Sequence, residues 1–126
     1  MKIIHLADKP EVPASHEDPQ NPGSFKRVLL AKDDLTLGRV QMLNWARLPV
    51  GKKFSRHIHE DMEEIFLVLE GEAKIFVGDE SVTMKHGDLV LVPIGAKHWM
   101  ENVGENDVIY LTIGISQQRG GRTLVS

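Results

Sequence analysis

The sequence predicts an all-β protein, a sandwich or barrel of many short strands. Three observations carry this. Apolar or alternating runs recur along the chain, parted by Gly, Pro, Asn and Asp turn signals at fairly regular spacing. No window holds a persuasive 3.6-residue amphipathic period. The histidines with useful spacing lie in strand-and-turn sequence.

Taken in order, Met1 to Leu6 reads as a short strand. Asp8 to Gly23 contains Pro10, Pro13, Pro19 and Pro22, which rules out a helix and makes an extended arm or loop. His16 within it, and His5 before it, read as surface residues because nothing near them has ligand spacing. Strands are expected at Lys26–Ala31 and Gly38–Leu48, with a polar turn at Lys32–Asp34 between them. Ile65–Leu69 is a third, and Glu72–Val77 is expected to pair with it as a hairpin around Gly71. Gly78–Glu80 turns the chain into Ser81–Lys85, and His86-Gly87-Asp88 turns it again, leaving His86 exposed. Leu89–Val92 is short and wholly apolar, and Val103–Asp107 is a loop. Val108–Ile115 is the last long strand. Gln117–Arg122 is polar and glycine-rich, and Thr123–Val125 adds an edge strand.

A chain of 126 residues makes one domain, divided as an N-terminal strand and proline-rich arm over 1–24 and a barrel over 25–126. The formal net charge of −3 argues against a nucleic-acid or membrane-surface role. With no cysteine, disulfides, thiolate metal sites and thiol catalysis are excluded, while six histidines point to nitrogen and oxygen ligands. No signal-peptide pattern opens the sequence and no apolar run nears the length of a membrane span, so a soluble cytoplasmic protein is expected.

Two stretches carry the chemistry. His57 and His59 are two apart, so in a strand both imidazoles share a face and can chelate one divalent ion while Ile58 points away. Glu64 starts the returning strand and can reach back to that ion, with Glu63 as the rival ligand. In the second stretch, Pro93-Ile94-Gly95-Ala96 is a turn, and His98-Trp99-Met100 starts a strand in which His98 and Met100 share a face.

The spacing Gly51-x5-His57-x-His59-x4-Glu64-x6-Gly71, followed by Gly87-x5-Pro93-x-Gly95-x2-His98-x3-Asn102, resembles the two motifs of the cupin superfamily at every fixed position. The short gap between Gly71 and Gly87 is similar to that of small single-domain microbial cupins. The resemblance implies a double-stranded β-helix, or jelly-roll barrel. It also implies one divalent transition metal per chain, held by His57, His59, Glu64 and His98. Mn, Fe, Ni, Co and Zn all suit such ligands.

Alternation nominates Phe66, Val68 and Met100 as pocket walls, with Phe54 close by and Tyr110, Thr112 and Gly114 on the polar or small face of the last strand. On the earlier strand the face is Asn44 and Ala46, or else Trp45 and Arg47. Asn102 is expected to close a turn; no separate general base stands out, and Tyr110 or a metal-bound hydroxide is the candidate for that role. Arg56, Lys53 and Arg47 are read as exposed charge rather than anion ligands. Ile65–Leu69, Leu89–Val92 and Ile109–Ile115 are apolar on both faces, which one barrel interior does not need; the surplus points to a covering arm or a partner subunit, and a homodimer is expected.

Three functions are compatible with this. The first is a metal-dependent enzyme, a dioxygenase or a Lewis-acid isomerase or lyase, acting on a small polar or acidic molecule. The second is a binding or sensor protein for a small ligand without turnover, and the third is a barrel stapled by a structural metal.

Overall fold

The structure, a computed structural model, describes residues 1–35, 38–116 and 123–125, so the Gln117–Arg122 segment lies outside it. Among the described residues eleven strands form two antiparallel sheets. The first runs in the order β1 (Val12–Pro13), β2 (Phe25–Ala31), β3 (Val40–Leu48), β10 (Val108–Ser116), β5 (Met62–Glu70), β8 (Leu89–Val92). The second runs β11 (Thr123–Val125), β4 (His57–His59), β9 (His98–Asn102), β6 (Ala73–Val77), β7 (Glu80–Met84). This is the all-β, double-stranded β-helix arrangement that the motifs imply.

Period-two alternation sets what lies between the sheets. Every second residue of β5 is buried: Met62, Glu64, Phe66 and Val68. The same holds for Tyr110, Thr112 and Gly114 on β10, for Asn44, Ala46 and Leu48 on β3, and for His98, Met100 and Asn102 on β9. Trp45 and Arg47 therefore take the outer face of β3. The apolar core gathers Leu48, Val68, Ile75, Met84, Met100 and Val108 at one end of the sandwich. His57, His59, Glu64 and His98 collect at the other. Asn102 lies beyond Met100 on β9, at the apolar end, its amide donating to the carbonyls of Leu48 (3.0 Å) and Asn106 (2.8 Å).

Two expectations are corrected. Met1–Leu6 is not a strand; Leu6–Asp8 forms a 3-10 turn, and Met1 and Ile3 are exposed. Nor do β5 and β6 form a hairpin. Both edges of β5 are taken, by β10 and β8, and β6 pairs with β7 and β9 in the opposite sheet. Gly71 makes this corner at φ +85°, where a Cβ would strike the backbone of Asp107 and Val108. The apolar character of Leu89–Val92 is only partly used inside: Val92 is buried while Leu89 and Leu91 are exposed. Among the described residues no helix is long and apolar enough to cross a membrane.

Candidate metal centre

Sheet register brings the two motif stretches together. His57 on β4 lies opposite His98 on β9, and Glu64 on β5 faces them from the other sheet. His57, His59, Glu64 and His98 are all buried, and one ligand atom from each lies within 4.8 Å of the others. The Nε2 atoms of His59 and His98 each stand 3.1 Å from the same oxygen, Oε1 of Glu64. Glu63, the rival, sits on the outer face of β5, because adjacent strand residues point oppositely.

Each imidazole is anchored through its far nitrogen. Nδ1 of His57 donates to the Ser55 carbonyl at 2.6 Å, and Nδ1 of His98 to that of Ala96 at 2.9 Å. Nδ1 of His59 meets the Thr123 hydroxyl at 2.9 Å. A carbonyl can only accept, so in the neutral rings of His57 and His98 the proton resides on Nδ1 and Nε2 presents a lone pair inward. A lone pair at 3.1 Å from a carboxylate oxygen is a repulsive pairing unless a proton or cation lies between them. The donor set thus fits a divalent transition ion: neutral nitrogens and one carboxylate oxygen, turned to one point and fixed from behind.

The charge states agree. Burial lowers the His57 imidazole to about 3, helped by repulsion from the His16 and His98 rings beside it, so it is neutral at pH 7. Burial alone would raise the Glu64 carboxyl, but protons on the His59 and His98 nitrogens, standing where a cation otherwise would, outweigh it and bring it down to about 2. Glu64 is therefore an anion there.

Beside this cluster lies a cavity of about 340 Å³, reaching His59 and Glu64. Its size suits a small ligand. Phe54 and Phe66 give it apolar walls, and Asn44, Tyr110 and Thr112 line it from β3 and β10. Val68 and Met100, expected on the wall, lie in the core instead, each fully buried. They are on the inward face but too far along their strands to reach the cavity. Burial raises the Tyr110 phenol well above its usual range, so it remains protonated and donates rather than accepts a proton at pH 7. That is a correction to its nomination as a base. Arg47, on the outer face, pairs with Glu11 (2.8 Å) and Asp107 (3.2 Å), and Arg56 lies over the Trp99 ring.

Two residues of the arm escaped the sequence reading. His16 is not a surface residue; its ring stacks on His57 at 4.2 Å between centroids, and it lines the cavity. Glu17 is buried and receives the backbone N–H groups of Gly23 (2.7 Å) and Ser55 (2.9 Å). No local spacing signals either contact, since the partners lie in another part of the chain. Lys26 also lines the cavity, its ammonium bonded to the Ser15 hydroxyl. His86 is exposed, with Nδ1 on the Leu69 carbonyl.

Comparison with known proteins gives the same picture. The family model described as Cupin domain matches residues 44–114, which include all four donors. An uncharacterised protein of Methanocaldococcus jannaschii is 37% identical over 82 residues, covering 65% of this chain and 65% of its own length. The match thus spans slightly less than two-thirds of that relative. A Thermotoga maritima protein described as oxalate-binding is 29% identical over 91 residues, 72% of this chain and 75% of that one. The crystal structure of a predicted oxalate decarboxylase from Thermotoga maritima superposes with a TM-score of 0.81, covering 91% of this chain and 99% of that one. At 24% identity that likeness is one of fold.

Proposed function

The chain belongs to the Cupin domain family, and we propose that it is a metal-dependent enzyme, a dioxygenase or a Lewis-acid isomerase or lyase, acting on a small acidic or polar molecule. One observation carries this reading: four buried donors, three of them anchored imidazoles, converge at the wall of a cavity of about 340 Å³. His57, His59, Glu64 and His98 would hold one ion of Mn, Fe, Ni, Co or Zn. Such an ion, when bound, supplies Lewis acidity or a binding place for dioxygen through positions the protein leaves open.

The chain's own residues account for the rest. Lys26 offers positive charge at the cavity wall to a carboxylate. Oδ1 of Asn44 is buried without a hydrogen-bond partner among the described residues, and it can accept from a hydroxyl of the ligand. Tyr110 donates a hydrogen bond from its protonated phenol. Phe54 and Phe66 keep water from the inner wall.

A second reading, a binding protein without turnover, is favoured by the Thermotoga relative described as oxalate-binding. A purely structural metal is disfavoured because the cavity reaches two of the four donors. The proposal includes a homodimer in the cytoplasm, supported for the dimer by the exposed apolar side chains of Leu89, Leu91 and Ile94. A light-scattering mass of one chain would remove that part.

The test is elemental analysis per chain, before and after chelator, followed by calorimetric titration of the metal-loaded protein with oxalate and by dioxygen-uptake and product assays. About one equivalent of metal with turnover of a small acid supports the enzyme. Ligand binding without turnover supports the second reading. Firm metal with no ligand access supports the structural one.

A further inference from the structure

The proline-rich arm is fastened to the barrel along its length. The Lys9 carbonyl accepts from Arg27, Glu11 pairs with Arg47, the Ala14 N–H donates to the Ser24 carbonyl, and Ser15 meets Lys26. Farther along the arm lies Glu17, whose side chain is only 3% exposed. A buried carboxylate needs compensation, and it finds three partners: the N–H groups of Gly23 and Ser55, and Nδ1 of His16 at 3.1 Å. The packing here admits nothing larger than glycine at position 23, where a Cβ would strike the Lys53 carbonyl and a Glu17 oxygen.

The Ser55 peptide group links this carboxylate to the donor cluster. Its N–H is held by Oε2 of Glu17, and its carbonyl accepts from Nδ1 of His57. The same Oε2 meets His16, whose ring lies at 18° to the His57 plane. Glu17 thus grips both the backbone behind His57 and the ring that covers its face. Resting on the metal-binding reading above, we infer that Glu17 is a positioning residue for the ligand His57, acting through Ser55 and through the stacked His16, so that the N-terminal arm is part of the metal centre.

Outer partners of ligating histidines set ring orientation, and losing one costs about 10–100-fold in metal affinity. The experiment is chelator-driven release of Co(II) from the loaded full chain, with the Co(II) visible spectrum and thermal unfolding read on the same samples. Glu17→Gln is expected to release cobalt at least about tenfold faster and to shift the visible band. Glu17→Asp keeps the charge but shortens the reach. It is expected to show the same effects in smaller measure, and it serves if Glu17→Gln does not fold. His16→Phe preserves the stack but cuts the bond to Glu17 and should release somewhat faster than wild type, whereas His16→Ala should release faster still. Glu11→Gln loosens the arm at Arg47 without touching the Ser55 relay, and should lower thermal stability while leaving release and spectrum unchanged. Wild-type release and spectrum in the folded Glu17 variants would overturn this inference and leave the metal reading intact. A wild-type chain that takes up no cobalt would overturn both.

Discussion

Gly71 and Gly87 form a matched pair that separates two costs usually confounded at glycine. Their backbones are nearly identical, φ +85° and +86°. Their surroundings are not. A Cβ at Gly87 meets nothing within 4 Å, whereas at Gly71 it would lie 2.6 Å from the Asp107 carbonyl oxygen and 3.0 Å from the Val108 α-carbon. Those are backbone atoms at the corner where β5 gives way to β6, and they cannot swing aside. Gly87→Ala should therefore carry only the left-handed backbone penalty, about 1–2 kcal/mol. Gly71→Ala should add an overpacking cost of about 1–3 kcal/mol. At about 4 °C per kcal/mol for a chain of this length, the melting temperature should fall by about 4–8 °C in the first variant and about 8–20 °C in the second. Thermal unfolding by circular dichroism at matched pH and metal content reads this directly. Equal losses in the two variants, or a larger loss at Gly87, would refute the argument that backbone crowding makes the Gly71 corner.

Other outcomes follow from the site. Glu64→Gln, His57→Ala and His98→Ala should each lose most bound metal by elemental analysis, while Glu63→Gln on the outer face of β5 retains it. Asn44→Leu removes a buried oxygen that has no protein partner, so thermal stability should hold or rise by a few degrees while calorimetric affinity for an acidic ligand falls about fivefold or more. For pH, burial works to raise the Glu17 carboxyl, but its bonds to His16 and Ser55 prevail and lower it to about 2 from an ordinary 4.5. A depressed carboxyl stabilises the fold above its unfolded value and ceases to do so as pH falls through its folded one. The gap in melting temperature between wild type and Glu17→Gln should thus be constant above about pH 5 and close between about 4.5 and 2. A gap independent of pH would show that Glu17 acts through shape alone.

Much of the donor cluster was legible in the sequence because it depends on short-range geometry. His57, His59 and His98 lie on strands where alternation fixes the face, and the turn at Pro93–Ala96 is written in residues with special backbone preferences. The choice of Glu64 over Glu63 is of the same kind. What remained illegible depends on distance along the chain. Glu17 reaches Ser55 across 38 residues, and the segment that carries it is mostly prolines and polar groups, which announce an irregular path without saying where it goes. The hairpin expected around Gly71 failed for a related reason. A glycine between two apolar runs looks alike whether the runs pair or part, and the competitor for the edge of β5 is β10, some forty residues later. Val68 and Met100 were placed on the correct face, but alternation gives a direction and not a depth.

The bond between His59 and Thr123 ties the two ends of a long span, 64 residues apart, at the outermost strand of the smaller sheet. β11 is three residues long, exposed throughout, and pairs only with β4. A strand of that kind opens with little free energy. Each opening takes from His59 the hydroxyl that orients it, a bond worth about 1 kcal/mol net, or roughly a factor of five in an equilibrium constant. On the metal-binding reading, strand docking and ion occupancy would be reciprocal equilibria: whatever draws Thr123–Val125 away would loosen the ion, and a bound ion would slow hydrogen exchange at the β11 amides bonded to β4 by the same factor.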